Sequence, residues 1–334
     1  MNKTRKITVG LIAGSIAITF ISPIIYRIVK ASAFRHGKPD IIAHRGLTKE
    51  FLDDTFEAFW GAGENKVFDG AETDVWRTLD GKFVVTHDGN PFYDKDIWIP
   101  EHTFDEIKFL PLDLKIAAYK IPARPVWTEL QKALFQNIYD RETQEGTREN
   151  VYVLCLLSEY IQTMKLFEKK AYVEIKQGSG GSVQGMETKN PVLTNEQLEE
   201  IVTTIADVEI SESSDTAGGY LYYCNFISFN KDYLPVVKNY VDSYYPHYVS
   251  EMVSYQVLLS PLASIQECYE LMDEGFSLDC MCVLVTAEMV AYSHSKGLKF
   301  AVWTFDVVDN SLTWSIYYDM GVDAITTGNI LYIL

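Results

Sequence analysis

The chain has 334 residues, of which 47% are hydrophobic and 22% charged, a composition that fits a globular protein with length enough for one full (β/α)8 barrel. The formal charge of −17 is unevenly spread: residues 1–38 hold seven of the 29 basic residues and none of the 46 acidic ones, so the remainder carries −24. Such an acidic body repels a phosphate backbone at long range, which excludes a general nucleic-acid binder and means that a small anionic substrate needs local positive charge.

From Ile7 to Tyr26 the chain is uncharged over 20 residues, bounded by Arg5-Lys6 and Arg27. As a helix this stretch would span about 30 Å, the hydrocarbon thickness of a bilayer. Being apolar all round rather than along one stripe, it predicts a single-pass transmembrane helix over residues 1–38, not a core helix. The expectation is a membrane-anchored protein with its catalytic domain, residues 39–334, on the extracytoplasmic side. Basic residues flank the span on both sides, so the positive-inside rule sets no orientation. Ala31-Ser32-Ala33 resembles a small-residue cleavage site and leaves a cleaved, secreted form as the alternative.

Beyond residue 39, short aliphatic runs alternate with amphipathic stretches, the pattern of βα units around a parallel sheet. In chain order the reading is strand 40–43, helix 54–65, strands 70–76 and 83–86, helix 156–169, strand 171–175, helix 195–208, and strand 223–228. It continues with helix 261–274, strand 277–282, helix 286–296, strand 299–303, helix 310–320 and strand 323–326. Residues 91–150, rich in aromatics, prolines and charges, break the rhythm and read as an inserted cap, and Gln177–Asn190 with its Gly-Ser run reads as a mobile loop. The five cysteines lack any Cys-x-x-Cys spacing and are expected to be buried fillers; Cys280 and Cys282 alternate on a strand, where packing is favoured over a metal pair.

Glu72 and Asp74 sit two apart inside a strand-like run, so period-two alternation places both on one face, where they can share a hard cation. Glu174 interrupts another apolar strand and is followed two residues later by Lys176 on the same face. His44 and His87 each end a strand beside a hydrophilic partner, Arg45 and Asp88. In a barrel, polar residues at strand ends are where catalytic groups collect.

His44-Arg45-Gly46, Thr55-Phe56-Glu57-Ala58-Phe59, Glu72-Thr73-Asp74-Val75, Thr78-Leu79-Asp80-Gly81, Val84-Val85-Thr86-His87-Asp88 and Val173-Glu174-Ile175-Lys176 resemble, in order and spacing, the signature of the glycerophosphodiester phosphodiesterase family. Ser228-Phe229-Asn230, Lys296-Gly297-Leu298-Lys299, Val302-Trp303-Thr304 and Gly321-Val322-Asp323-Ala324-Ile325 extend the likeness over about residues 40–330. The resemblance implies an α/β TIM barrel and hydrolysis of glycerophosphodiesters to glycerol 3-phosphate and an alcohol. It further implies one Ca²⁺ or Mg²⁺ held by Glu72, Asp74 and Glu174, His44 and His87 as acid and base in unassigned order, and Arg45, Lys176 and Trp303 as substrate-binding residues. Residues 91–150 would fall where this family carries a substrate-covering excursion.

Three positions depart from the family pattern: Leu52-Asp53-Asp54-Thr55 stands where Pro-Glu-Asn-Thr is common, Gly328 where an Asp commonly follows the last strand's Thr, and no Arg-Thr pair follows Asp88. None removes a presumed ligand or histidine. Two other readings remain: a lysophospholipase D-type enzyme acting on lysophospholipids, and a membrane-bound, non-catalytic binding module. Against the latter, a non-catalytic barrel has no physical reason to keep five buried polar groups together.

Overall fold

A computed structural model describes residues 38–94, 96–113, 126–143, 152–178, 189–208, 219–303 and 311–328. The expected anchor over 7–26 and most of the 177–190 loop lie outside these residues. Among the described residues no helix is long and apolar enough to cross a membrane.

The strands are β1 (Asp40–Ala43), β2 (Gly70–Arg77), β3 (Phe83–Val85), β4 (Cys155–Leu156), β5 (Lys170–Ile175), β6 (Cys224–Ser228), β7 (Ser254–Leu259), β8 (Ser277–Met281), β9 (Phe300–Trp303) and β10 (Ala324–Thr327). β1, β2, β5, β6, β7, β8, β9 and β10 pair in parallel, and the β1–β2 and β1–β10 pairings close them into a barrel. This closed ring of eight parallel strands with helices outside is the TIM-barrel architecture expected from the alternation.

Two corrections come with it. The run at 83–86 is not a stave: β3 turns back antiparallel onto β2, and β4 pairs antiparallel with β3, so the two form a flap on the barrel's flank. The stave absent from the sequence reading is β7, whose lumen positions Ser254 and Gln256 break the aliphatic run that marks its neighbours.

Alternation sorts the side chains into two cores. Ile42, Tyr172, Ile227, Leu258, Ala301 and Ala324 fill the lumen. Their neighbours Ala43, Val173, Phe226, Val257, Phe300 and Ile325 face outward into the layer shared with the helices. Helix starts are set by side-chain caps: Thr194 accepts from Gln197 N and Ser264 from Glu267 N, each within a reciprocal capping box. The five cysteines are free and buried, as expected of fillers.

The insertion is built in two parts. Phe92 bridges Leu112, and both join Trp76, Val84, Ile99, Ile107, Tyr152 and Leu154 in a small core of their own beside the flap. Farther on, Trp127 stacks on Phe56 at 4.7 Å. Arg141 donates to both oxygens of Glu159, at 2.9 and 2.7 Å, while Glu159 also accepts from Leu156 N. Such a desolvated, bidentate pair fixes the insertion to the helix Leu157–Leu166.

Candidate active site

Every group singled out in the sequence for metal or proton chemistry falls at the C-terminal rim of the barrel, on β1, β2 and β5 and at the end of the β3 flap. β1 ends in an abrupt turn in which Arg45 (φ +56°) and Gly46 (φ +83°) both adopt the left-handed region. Gly46 is required there for a second reason, because a Cβ would stand 2.6 Å from the backbone of Ala58. The turn aims the Arg45 backbone N–H at Glu72 Oε2, 3.1 Å away.

β2 presents Glu72 and Asp74 on its lumen face, and the parallel register sets Glu174 of β5 directly opposite Asp74. One oxygen from each of Glu72, Asp74 and Glu174 can be chosen so that all three lie within 4.8 Å of one another, and all three residues are buried. Two cations stand against them. Lys176 Nζ lies 3.2 Å from Asp74 Oδ1 and 3.1 Å from Glu174 Oε1, and Arg45 Nε lies 3.2 Å from Asp74 Oδ2. Arg45 also donates through Nη1 to Asp53 Oδ2 at 3.3 Å.

Burial pushes Asp74 up, but Lys176 and Arg45 outweigh it and hold the carboxyl well below the usual carboxylate range. Glu72 and Glu174 go the other way: burial and neighbouring carboxylates raise Glu72 strongly, and burial carries Glu174 to about 8 despite Lys176. Three converging carboxylates therefore exceed what two cations satisfy. Asp74 Oδ2 and Glu174 Oε1 are buried and face Arg45 Nε and Lys176 Nζ at 3.2 and 3.1 Å as ion pairs. An all-oxygen set with unspent acceptors fits a hard divalent cation.

The histidines flank this cluster. His44 Nε2 is 3.8 Å from Glu72 Oε2, and burial, then Arg45, lowers its pKa well below that of an ordinary imidazole. His87 donates from Nδ1 to Asp88 Oδ1 at 2.9 Å, which leaves Nε2 as the nitrogen available to a substrate. Its chain position is fixed by Thr86 N donating to Asp74 O and by Trp76 Nε1 donating to His87 O. Trp303 ends β9 and packs on the lumen cluster.

Three features lay outside the sequence reading of the site. Asp54, noted only as a departure, is buried at φ +55°, accepts from Thr73 Oγ1 at 2.8 Å and donates its N–H to Arg45 O, pinning the β1 turn to the strand that carries Glu72 and Asp74. Phe229 lies 5.8 Å beneath Lys176 Nζ. Beside His87 a pocket opens between Asp53, Asp88, Leu112 and Asp113. Asp54 borders a recognisable motif and Phe229 lies within one, whereas Leu112 and Asp113 lie in an insertion without one.

Residues 44–331 match the model of the glycerophosphoryl diester phosphodiesterase family. The chain belongs to that family and is an enzyme of the phosphoric diester hydrolase class. Solved structures share the fold. A phosphodiesterase from Oleispira antarctica, in complex with the product sn-glycerol-3-phosphate, is 17% identical with a TM-score of 0.55, over 87% of this chain and 93% of its own. Glycerophosphodiester phosphodiesterases from Parabacteroides distasonis (20% identity, TM-score 0.52, 87% and 94% covered) and Agrobacterium tumefaciens (13%, 0.54, 87% and 96%) are similar in the same sense. A search of curated proteins gave no match.

Proposed function

We propose that the enzyme hydrolyses glycerophosphodiesters to glycerol 3-phosphate and an alcohol, with one Ca²⁺ or Mg²⁺ held by Glu72, Asp74 and Glu174. The observation that carries this reading is the convergence of those three buried carboxylates with Arg45 and Lys176 between two histidines. When bound, the cation supplies charge neutralisation at the non-bridging phosphate oxygens. Arg45 and Lys176 add fixed positive charge beside the same oxygens, in a protein that is otherwise strongly acidic.

The surroundings of the histidines support a division of labour. His44, kept neutral by burial and Arg45, takes the proton of the attacking hydroxyl, whether of water or of the substrate's glycerol. His87, oriented through Nδ1 by Asp88, delivers a proton from Nε2 to the oxygen of the departing alcohol as its bond to phosphorus breaks. Trp303 offers an apolar wall for the glycerol carbons across the mouth.

The chain enters β1 at Asp40, on the rim opposite the mouth. A membrane anchor belongs to this reading, supported by the 20 uncharged residues, and with it goes an extracytoplasmic catalytic domain. Membrane fractionation of the full chain against a variant lacking residues 1–38 tests the anchor: equal solubility of both would remove it. The reaction itself is tested by incubating the full chain in detergent with Ca²⁺ or Mg²⁺ and either a glycerophosphodiester or a lysophospholipid. Release of glycerol 3-phosphate is expected. Release of lysophosphatidic acid alone would replace the substrate, and release of neither would overturn the reading.

A further inference from the structure

We propose that Asp54 is a positioning residue for the reaction: it holds Arg45 in the strained turn from which that residue reaches both Glu72 and Asp74, and so fixes where the phosphate-binding guanidinium stands. The assignment rests on the phosphodiesterase reading above.

Among the described residues, three that are not glycine adopt a positive φ: Arg45 (+56°), Asp54 (+55°) and Glu168 (+55°). Two of the three are bonded to each other, the Asp54 N–H donating to Arg45 O at 3.1 Å. Such conformations persist only where the surroundings over-determine them, and they collect at functional sites. Asp54 carries a second cost, because it is buried and its Oδ2 has no hydrogen-bond partner. Against both costs stands one side-chain contact, Thr73 Oγ1 donating to Asp54 Oδ1 at 2.8 Å.

The position of Thr73 explains that contact. It lies between Glu72 and Asp74 on β2, and alternation turns it away from the lumen that those two face. Asp54 therefore grips β2 from behind the two carboxylates, and with its own N–H it grips the Arg45 carbonyl, so strand and turn are tied at one residue. From that turn the Arg45 N–H donates to Glu72 Oε2 at 3.1 Å, and its Nε stands 3.2 Å from Asp74 Oδ2. Asp53, the preceding residue, accepts from the far end of the same side chain at Nη1. The helix that follows does not need the Asp54 carboxyl: its start is capped by Thr55, which accepts from Ala58 N and donates to Leu52 O. Asp54 thus acts on the substrate through Arg45.

The test measures kcat/KM for a glycerophosphodiester, and calorimetric affinity for glycerol 3-phosphate, on the full chain in detergent with Mg²⁺. Asp54→Gly keeps the left-handed backbone and deletes the acceptor. It should lower kcat/KM by about 10- to 100-fold, the scale of a small misplacement of a binding group, and weaken glycerol 3-phosphate binding, with circular dichroism unchanged. Asp54→Asn accepts the same bond in the same conformation and should stay within about threefold of wild type. In an Arg45→Ala background, Asp54→Gly should change kcat/KM by less than about twofold, because the group it positions is gone. A loss in Asp54→Asn equal to that in Asp54→Gly, no loss in Asp54→Gly, or the same loss with and without the Arg45 side chain would each overturn the assignment while leaving the phosphodiesterase reading in place. Should Asp54→Gly not fold, Thr73→Val removes the donor at the other end of the same bond; a matching loss is expected, and full activity would overturn the assignment. Absence of hydrolysis in wild type would take down both.

Discussion

At the mouth of the barrel three carboxylates gather with Lys176 and Arg45 at 3.1 to 3.2 Å from Asp74 and Glu174, whereas on β8 Asp279 lies in the same lumen with no hydrogen-bond partner for either oxygen. Register sets Asp279 beside Leu258 and Ala301, two members of the apolar lumen cluster. Burial alone acts on it, raising its carboxyl to about 7. The isolated acid is accommodated by keeping its proton. At the mouth, cations hold Asp74 ionised while Glu72 and Glu174 are pushed up, an imbalance that a bound cation would resolve. Burial thus favours the neutral acid where a carboxylate is alone, and where several converge it leaves a cluster with the chemistry to hold a cation.

The sharpest way to break this comparison is to remove one acid from each set. Glu72→Gln or Glu174→Gln should lower hydrolysis by about 10⁴-fold and weaken cation binding, with the fold retained in circular dichroism. Asp279→Asn should leave turnover within about twofold, since that carboxyl reaches no reacting atom. Equal losses at both positions would mean that the mouth acids are structural like their neighbour.

The histidines sharpen the comparison at the level of chemistry. His44→Ala and His87→Ala should each cost about 10²–10⁴ in kcat with little change in melting temperature. A substrate with a p-nitrophenolate leaving group needs no protonation, so it should restore rate to the His87 variant and not to the His44 variant. The reverse pattern would exchange the two roles.

The smallest effect is on stability, and its sign follows from the raised pKa. Below about pH 4 both folded and unfolded Asp279 hold the proton; between about 4 and 7 the unfolded chain releases it and the folded one does not, so stability falls as pH rises. Above that window the deficit is complete, as much as about 4 kcal/mol. Asp279→Asn should therefore melt higher than wild type at pH 8 and near it at pH 4. A pH-independent difference would show that the residue has a partner in solution.

Much of this was legible because barrel chemistry leaves a local trace: a polar residue that stops or interrupts an aliphatic run marks the lumen or the rim. That trace found His44, Glu72, Asp74, His87 and Glu174, and the ordered motifs supplied Arg45, Lys176 and Trp303. Asp279, within Ser277-Leu278-Asp279-Cys280-Met281, carries the same signal and went unread because no neighbour or motif reinforced it. β7 hid behind Ser254 and Gln256, and β3 passed for a stave because an antiparallel flap strand is as aliphatic as a parallel one. Asp113 reaches the site only through the path of the insertion, which no local pattern encodes.

Hydrolysis is proposed to depend on a cation held by Glu72, Asp74 and Glu174. Calorimetric titration of Ca²⁺ and Mg²⁺ into the chelator-stripped enzyme, with glycerol 3-phosphate release assayed on the same samples, tests it most directly. One binding site per chain is expected in wild type and in Asp279→Asn, lost in Glu174→Gln, with activity absent in chelator and restored as that site fills. Full hydrolysis in the chelator-stripped enzyme, or undiminished cation binding in Glu174→Gln, would contradict it.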